Sequence, residues 1–247
     1  MIRGAWFGLV TGVASILFSS ISIAGGWFQA KTSFHDRVQR TWARTLLAAA
    51  GVRVEAAGAE RLAGQGPLIL VANHQSSFDI FALFAALPVS IRFVAKRELE
   101  RLPCFGRAMR AAGHVFIDRA DRKSAAREMH AAAARLRRDG LCLGLFPEGT
   151  RSREGSLGPF KKGSFGLAIK TGLPVVPVAV DGGWRLHRGR RLRPGTIRIR
   201  VGETIPTREL TVADRDRLLR AVREQIVRLL AGAREEAEPP ETTGGRA

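Results

Sequence analysis

Pro67-Leu68-Ile69-Leu70-Val71-Ala72-Asn73-His74-Gln75-Ser76-Ser77-Phe78-Asp79 sets an apolar run directly against a histidine and a carboxylate five residues apart. The run has the length and composition of a strand buried on both faces. On one continuous α-helix, five residues turn through about 500°, which leaves the two polar side chains roughly 140° apart and out of reach. They meet only if His74 lies in a turn and Asp79 in the first turn of the next helix. Ser76 or Ser77 suits the cap of that helix, and Ile80 to Leu87 is apolar enough to continue it. The stretch therefore reads strand, turn, helix, with a His–carboxylate pair at the turn. Such a pair makes a general base, because the carboxylate fixes the ring tautomer and stabilises the imidazolium that forms.

Outward from this unit the pattern alternates. Strands are predicted at Val52–Ala56, Leu68–Ala72, Ile91–Ala95, His114–Ile117, Leu141–Phe146, Val175–Val180 and Thr196–Val201. Helices are predicted at Asp79–Leu87, Glu100–Ala112, Arg122–Arg138, Gly163–Thr171 and Val212–Ala231. The fold class is α/β, with a mixed, largely buried sheet flanked by helices. The prolines in Leu173-Pro174-Val175-Val176-Pro177-Val178 place that strand at an edge or a bulge, and Pro177 suits a wall of an apolar tunnel. The last helix opens on the capping-box pattern Thr211-Val212-Ala213-Asp214. From Glu235 the tail is rich in Glu, Pro, Thr and Gly and is expected to be disordered.

The first 50 residues are different. No charged residue occurs between Arg3 and Lys31. Trp6 and Trp27 stand 21 residues apart, about 31 Å along a helix, which matches the hydrocarbon thickness of a bilayer. Trp at both ends suits interfacial anchoring. A rival reading is a cleaved leader ending near Ser22-Ile23-Ala24. Against it, basic residues are denser after the apolar stretch (Lys31, Arg37, Arg40, Arg44, Arg53), which places the bulk of the chain in the cytoplasm by the positive-inside rule. Residues 34–50 form a second helix that lies along a membrane surface, packs back on the first helix or packs in the core. The division is thus 1–50 membrane-associated helices, 51–234 an α/β domain, and 235–247 a tail.

The chain has 247 residues and a formal net charge of +18, carried by 34 arginines and six lysines. That balance calls for an anionic partner, either a lipid surface or a phosphorylated ligand. Nucleic-acid binding would need basic patches interleaved with stacking aromatics, and the chain has no Tyr and only four Trp, two of them flanking the apolar stretch. No nucleic acid is expected. The basic run Trp184 to Arg193 suits anionic headgroups or an acidic carrier protein. Cys104 and Cys142 have no metal-ligand spacing, and no metal is expected.

Three further strings carry chemistry. Gly113-His114-Val115-Phe116-Ile117-Asp118-Arg119 delivers an Arg at a strand end. Phe146-Pro147-Glu148-Gly149-Thr150-Arg151-Ser152 ends a buried strand in a turn that presents Glu148, Thr150 and Arg151. Arg with hydroxyls and loop amides suits a phosphate. Glu148 either holds the loop through backbone hydrogen bonds or meets ligand hydroxyls. Val176-Pro177-Val178 is the third. Lys96 and Lys161 are secondary candidates.

With Asn73–Asp79, these strings in this order resemble the glycerolipid acyltransferase family that includes bacterial 1-acyl-glycerol-3-phosphate acyltransferases. The resemblance covers roughly residues 65–183 and extends to Lys96, Glu98, Leu99, Pro103 and Gly106. It implies acyl transfer from a thioester, acyl-CoA or acyl carrier protein, to the hydroxyl of lysophosphatidic acid, giving phosphatidic acid. It implies His74 and Asp79 as catalytic residues, and Arg119, Glu148, Gly149, Thr150 and Arg151 at the substrate. No resident cofactor is implied, the thioester being a co-substrate. The expected location is the inner, cytoplasmic membrane. Direct transfer needs an oxyanion donor, for which a backbone amide near the His74 turn is the expectation. Another lysolipid acceptor, such as a lyso-ornithine lipid, and an inactive membrane-surface binding protein are the alternatives.

Overall fold

The computed structural model describes residues 2–28, 31–118, 120–152, 154–188 and 191–237. The tail beyond 237, to which disorder was assigned, and Arg119 lie outside them. Two helices open the chain, α1 (Ile2–Trp27) and α2 (Thr32–Ala50). There follow β1 (Val52–Ala57), β2 (Ile69–Ala72), α3 (Phe78–Ala86), β3 (Ile91–Lys96), α4 (Arg97–Glu100) and α5 (Phe105–Ala111). Next come β4 (Val115–Ile117), α6 (Arg122–Arg138), β5 (Cys142–Leu145), α7 (Gly163–Thr171) and β6 (Val175–Asp181). A two-residue hairpin, β7 (His187–Arg188) with β8 (Arg191–Leu192), precedes β9 (Gly195–Val201) and α8 (Arg215–Glu235).

Seven strands form one sheet in the order β1-β9-β6-β2-β5-β3-β4. Every pairing is parallel except β6 with β9. The sheet is mixed and covered on both faces. Leu68, Leu70 and Ala72 face α2 and α3, while Ile69 and Val71 face α6, α7 and α8. This is the period-2 alternation of a strand with two apolar faces.

Of the edge or bulge expected at the prolines the structure shows the bulge, and two other expectations fail locally: Pro177 as a tunnel wall, and one unbroken helix over Glu100–Ala112. β6 is not an edge: it lies between β9 and β2 and is buried at every residue. Its proline is accommodated by a bulge. Val178 pairs with Val201 and Val175 with Ile205, so Val176 and Pro177 oppose three residues, 202–204, and the ladder is interrupted where Pro177 has no N–H to give. Pro177 is also not among the residues lining the cavity described below. The single helix expected over Glu100–Ala112 is split into α4 and α5. Pro103 disfavours helical backbone at the residue before it, and Cys104 then turns through φ +60°. The capping box at Thr211 and Asp214 forms, but it opens a 3₁₀ turn ahead of α8.

α2 is core rather than a surface helix on its inner side, burying Ala43, Leu46, Leu47 and Ala50. It is tied to β3 by a buried polar cluster. Arg92 donates to Asp36 at 2.7 Å, and His114 accepts the Phe93 N–H at Nδ1 while its Nε2–H donates to the Gln39 side-chain oxygen. Burial, helped by the nearby Arg92 guanidinium, pushes the His114 pKa down to about 3. The unfolded chain therefore takes up a proton near pH 6.5 that the folded chain refuses until about pH 3. Stability then falls as pH drops through this window, by a few kcal/mol in all. Denaturant titrations between pH 7 and 4 should show that fall, and His114→Gln should flatten it. An equally steep loss in the variant would exclude His114 as the cause.

α1 packs on α2 and α5. Phe7 meets Phe78, Ser15 accepts the Trp42 indole N–H, and Gly26 lies against Ala111. Its other face exposes Trp6, Leu9, Val13, Ile16, Leu17 and Trp27. Among the described residues it is the one helix long and apolar enough to cross a membrane.

Candidate active site

Because β2, β3, β4 and β5 run parallel, the loops after them leave the sheet along the same edge. His74 sits in the loop after β2, and Asp79 is the second residue of α3. His74 Nδ1 and Asp79 Oδ2 are 2.8 Å apart, with Asp79 fully buried and His74 15% exposed. The carboxylate faces protein and the ring's other edge faces the cavity, which is what a base working on a bound molecule needs.

The local chemistry that holds this geometry differs from a serine cap. Neither Ser76 nor Ser77 caps α3 with its side chain; Ser76 Oγ only receives the Phe78 N–H at 3.4 Å. Instead Asp79 Oδ2 reaches back and accepts the N–H groups of Gln75 at 2.6 Å and Ser76 at 2.8 Å. A carboxylate in the first turn of a helix is also favoured by the helix dipole. The same oxygen thus fixes the turn and the imidazole. The ring is set from its face by Phe146, stacked at 4.0 Å and 16°.

Glu148 completes the scaffold. Its Oε1 accepts the His74 N–H at 2.7 Å and its Oε2 the Gly158 N–H at 2.8 Å. Burial raises its pKa above the ordinary value, against the pull of those two amides. Each oxygen accepts one backbone N–H and the side chain is buried, so Glu148 takes the first of the two roles open to it in the sequence and holds the loop. The Ser152 N–H donates to the His74 carbonyl, closing the junction between the two loops. The oxyanion expectation also needs correction. The amides of His74, Gln75 and Ser76 are all taken by Glu148 and Asp79, so they are not free to meet a developing charge.

A cavity of about 1680 Å³ opens onto His74. Gly149, Thr150, Arg151 and Lys161 line it near the loops, and Arg151 Nη1 donates to Ser77 Oγ at 2.8 Å. Farther in, Ile80, Phe81, Phe84 and Phe93 supply apolar walls. One wall was invisible in the sequence: Thr11, Ser15, Phe18, Ser19 and Ser22 of α1. A leader cleaved near Ala24 would take that wall with it.

Gly183, two residues after the end of β6, was also missed. A methyl group there would stand 2.5 Å from Asp79 Oδ1 and 3.1 Å from Ser76 Cβ. Neither atom ends a flexible chain, so Gly183→Ala must displace the carboxylate and the ring it holds. We expect the turnover number to fall about 10- to 100-fold, the size of effect a displacement near 1 Å produces, with KM little changed. Unaltered steady-state kinetics would show that the carboxylate has room to yield.

Comparison with known proteins agrees with this geometry. The Acyltransferase family profile matches residues 53–181. A putative 1-acyl-sn-glycerol-3-phosphate acyltransferase, acl-2, of Caenorhabditis elegans is 34% identical over 79% of this chain and 73% of its own length. The human 1-acyl-sn-glycerol-3-phosphate acyltransferase alpha is 36% identical over 72% of this chain, which spans 63% of that protein. The crystal structure of the LPA acyltransferase PlsC from Thermotoga maritima superposes with a TM-score of 0.80 at 25% identity, covering 96% of both chains. The family match runs from β1 to the end of β6 and so carries both the dyad and the loop that braces it: the chain belongs to the acyltransferase family.

Proposed function

We propose that the protein transfers a fatty acyl group from a thioester to the free hydroxyl of 1-acyl-sn-glycerol-3-phosphate, forming phosphatidic acid. The relatives' activities support the reaction, and the observation that carries the mechanism is the His74–Asp79 pair at 2.8 Å, its imidazole lining an apolar cavity. An alcohol attacks a thioester poorly until its proton leaves. His74 Nε2 takes that proton as the oxygen–carbon bond forms, and Asp79 holds the ring in the tautomer that leaves Nε2 unprotonated. The carbon–sulfur bond then breaks. The thiol leaves readily, its pKa being about 8.5, and the proton passes from His74 to the thiolate. Thr150 and Arg151, together with Arg119, receive the acceptor's phosphate. No resident cofactor takes part.

The protein associates with membrane through α1. That helix is docked along its length on the domain, from Phe7 on Phe78 to Gly26 on Ala111. A helix so held cannot cross a bilayer without drawing the domain in, so its outer apolar face lies in one leaflet. The cytoplasmic face of the inner membrane is the side whose anionic lipids suit Lys31, Arg37, Arg40 and Arg44 directly after α1.

The test is an acceptor panel on detergent-purified protein, with acyl-CoA and acyl carrier protein as donors and products read by mass spectrometry. Phosphatidic acid from lysophosphatidic acid is the expected product. Acylation of a lyso-ornithine lipid with no phosphatidic acid from either donor would overturn the acceptor assignment.

A further inference from the structure

We propose that Lys161 acts beside Arg151 in reading the acceptor's phosphate, its ammonium carried to the cavity across the bare backbone of Gly149. The inference rests on the acceptor being lysophosphatidic acid, as proposed above.

Gly149 is the residue after Glu148 and has φ +74°, a left-handed conformation that glycine adopts at no steric cost. The missing side chain has a second use. The position a Cβ would occupy is 2.5 Å from Lys161 Nζ, 3.0 Å from its Cε and 3.3 Å from its Cδ. The lysine stem therefore lies in the space a side chain at 149 would fill. Its backbone is fixed too, with the Lys161 N–H donating to the Pro147 carbonyl at 2.9 Å. The ammonium is thus delivered to the cavity wall by the same loop whose Glu148 holds the His74 amide.

Of the other cations lining the cavity, Lys96 also forms no ion pair among the described residues, whereas two have partners within the protein. Lys162 pairs with Asp216 of α8 at 2.8 Å, and Arg151 is pinned to Ser77. Among the described residues no carboxylate pairs with Lys161. It is an uncompensated charge held next to the catalytic loop.

The chemistry of the acceptor selects the ligand. In lysophosphatidic acid the phosphorus is four covalent bonds from the reacting oxygen, no more than about 5 Å away. When that oxygen reaches His74, the phosphate must fall beside the dyad. The phosphates of a thioester donor are separated from the reacting carbon by a long pantetheine arm and have no such constraint. A cation carried by the loop that holds Glu148 therefore belongs to the acceptor.

The experiment compares wild type, Lys161→Met and Lys162→Met with lysophosphatidic acid and with the phosphate-free acceptor 1-acylglycerol, varying acceptor and acyl-CoA separately. Losing one charge-assisted contact should raise KM for lysophosphatidic acid about 10- to 100-fold in Lys161→Met. The KM for acyl-CoA and the kinetics with 1-acylglycerol should stay within about threefold, as should every constant of Lys162→Met. An unchanged KM for lysophosphatidic acid in Lys161→Met, or a rise confined to acyl-CoA, overturns the inference. A wild type that makes no phosphatidic acid refutes the proposed function itself, which separates the two failures.

Discussion

Replacing His74 with alanine should lower the rate of phosphatidic acid formation by about 10²- to 10⁴-fold, the usual worth of a positioned general base, while the protein stays folded. Among the described residues the imidazole has a single polar partner, Asp79 Oδ2, and it rests on the face of Phe146. Without it, the carboxylate keeps the Gln75 and Ser76 amides, so the turn into α3 survives. Because the ring is partly exposed to the cavity, its removal should cost about 1 kcal/mol or less, a melting shift under about 4 °C for a chain of this length. Asp79→Asn should approach the same loss of rate by another route. An amide can no longer accept three hydrogen bonds at one oxygen, and the ring loses its fixed tautomer. A purified His74→Ala protein that melts normally and turns over near the wild-type rate would remove the base from the mechanism.

Asp36→Ala should produce the largest change in stability. Arg92 is 1% exposed, its Nη1 is held by Asp36, and its Nε is buried without a partner. Removing the carboxylate leaves a guanidinium in the core with little but the Ile91 carbonyl. Breaking a buried pair from one side costs about 3–5 kcal/mol, which corresponds to a fall in melting temperature of roughly 6–20 °C. Replacing both partners by apolar residues, Asp36→Leu with Arg92→Met, should recover most of that loss, since the penalty is the stranded charge rather than the missing attraction. A single variant that melts within two degrees of wild type would mean that water reaches the site.

Much of this molecule is legible from local pattern. The alternating apolar runs give the strands, and the spacing of His74 and Asp79 requires the turn between β2 and α3. What escaped is non-local. The central place of β6 depends on a bulge opposite Pro177, which only the partner strand reveals. Glu148 has two backbone ligands 74 and 10 residues away, and no spacing rule distinguishes that from a carboxylate awaiting substrate. The helix break at Pro103 was a local signal passed over in favour of the apolar periodicity around it. The cavity wall supplied by α1 follows from how two distant segments pack, so the stretch read as an anchor gave no hint of it.

That shared wall determines how concentration should be counted. The helix whose inner side lines the cavity is also the one whose exposed outer side, in the membrane placement proposed above, meets the acyl chains of the bilayer. Acceptor and product then exchange with the cavity by lateral diffusion, without a passage through water. The rate should follow the mole fraction of lysolipid in the vesicle rather than its molarity in the tube, so that adding inert phospholipid at constant total lysolipid slows turnover by surface dilution alone.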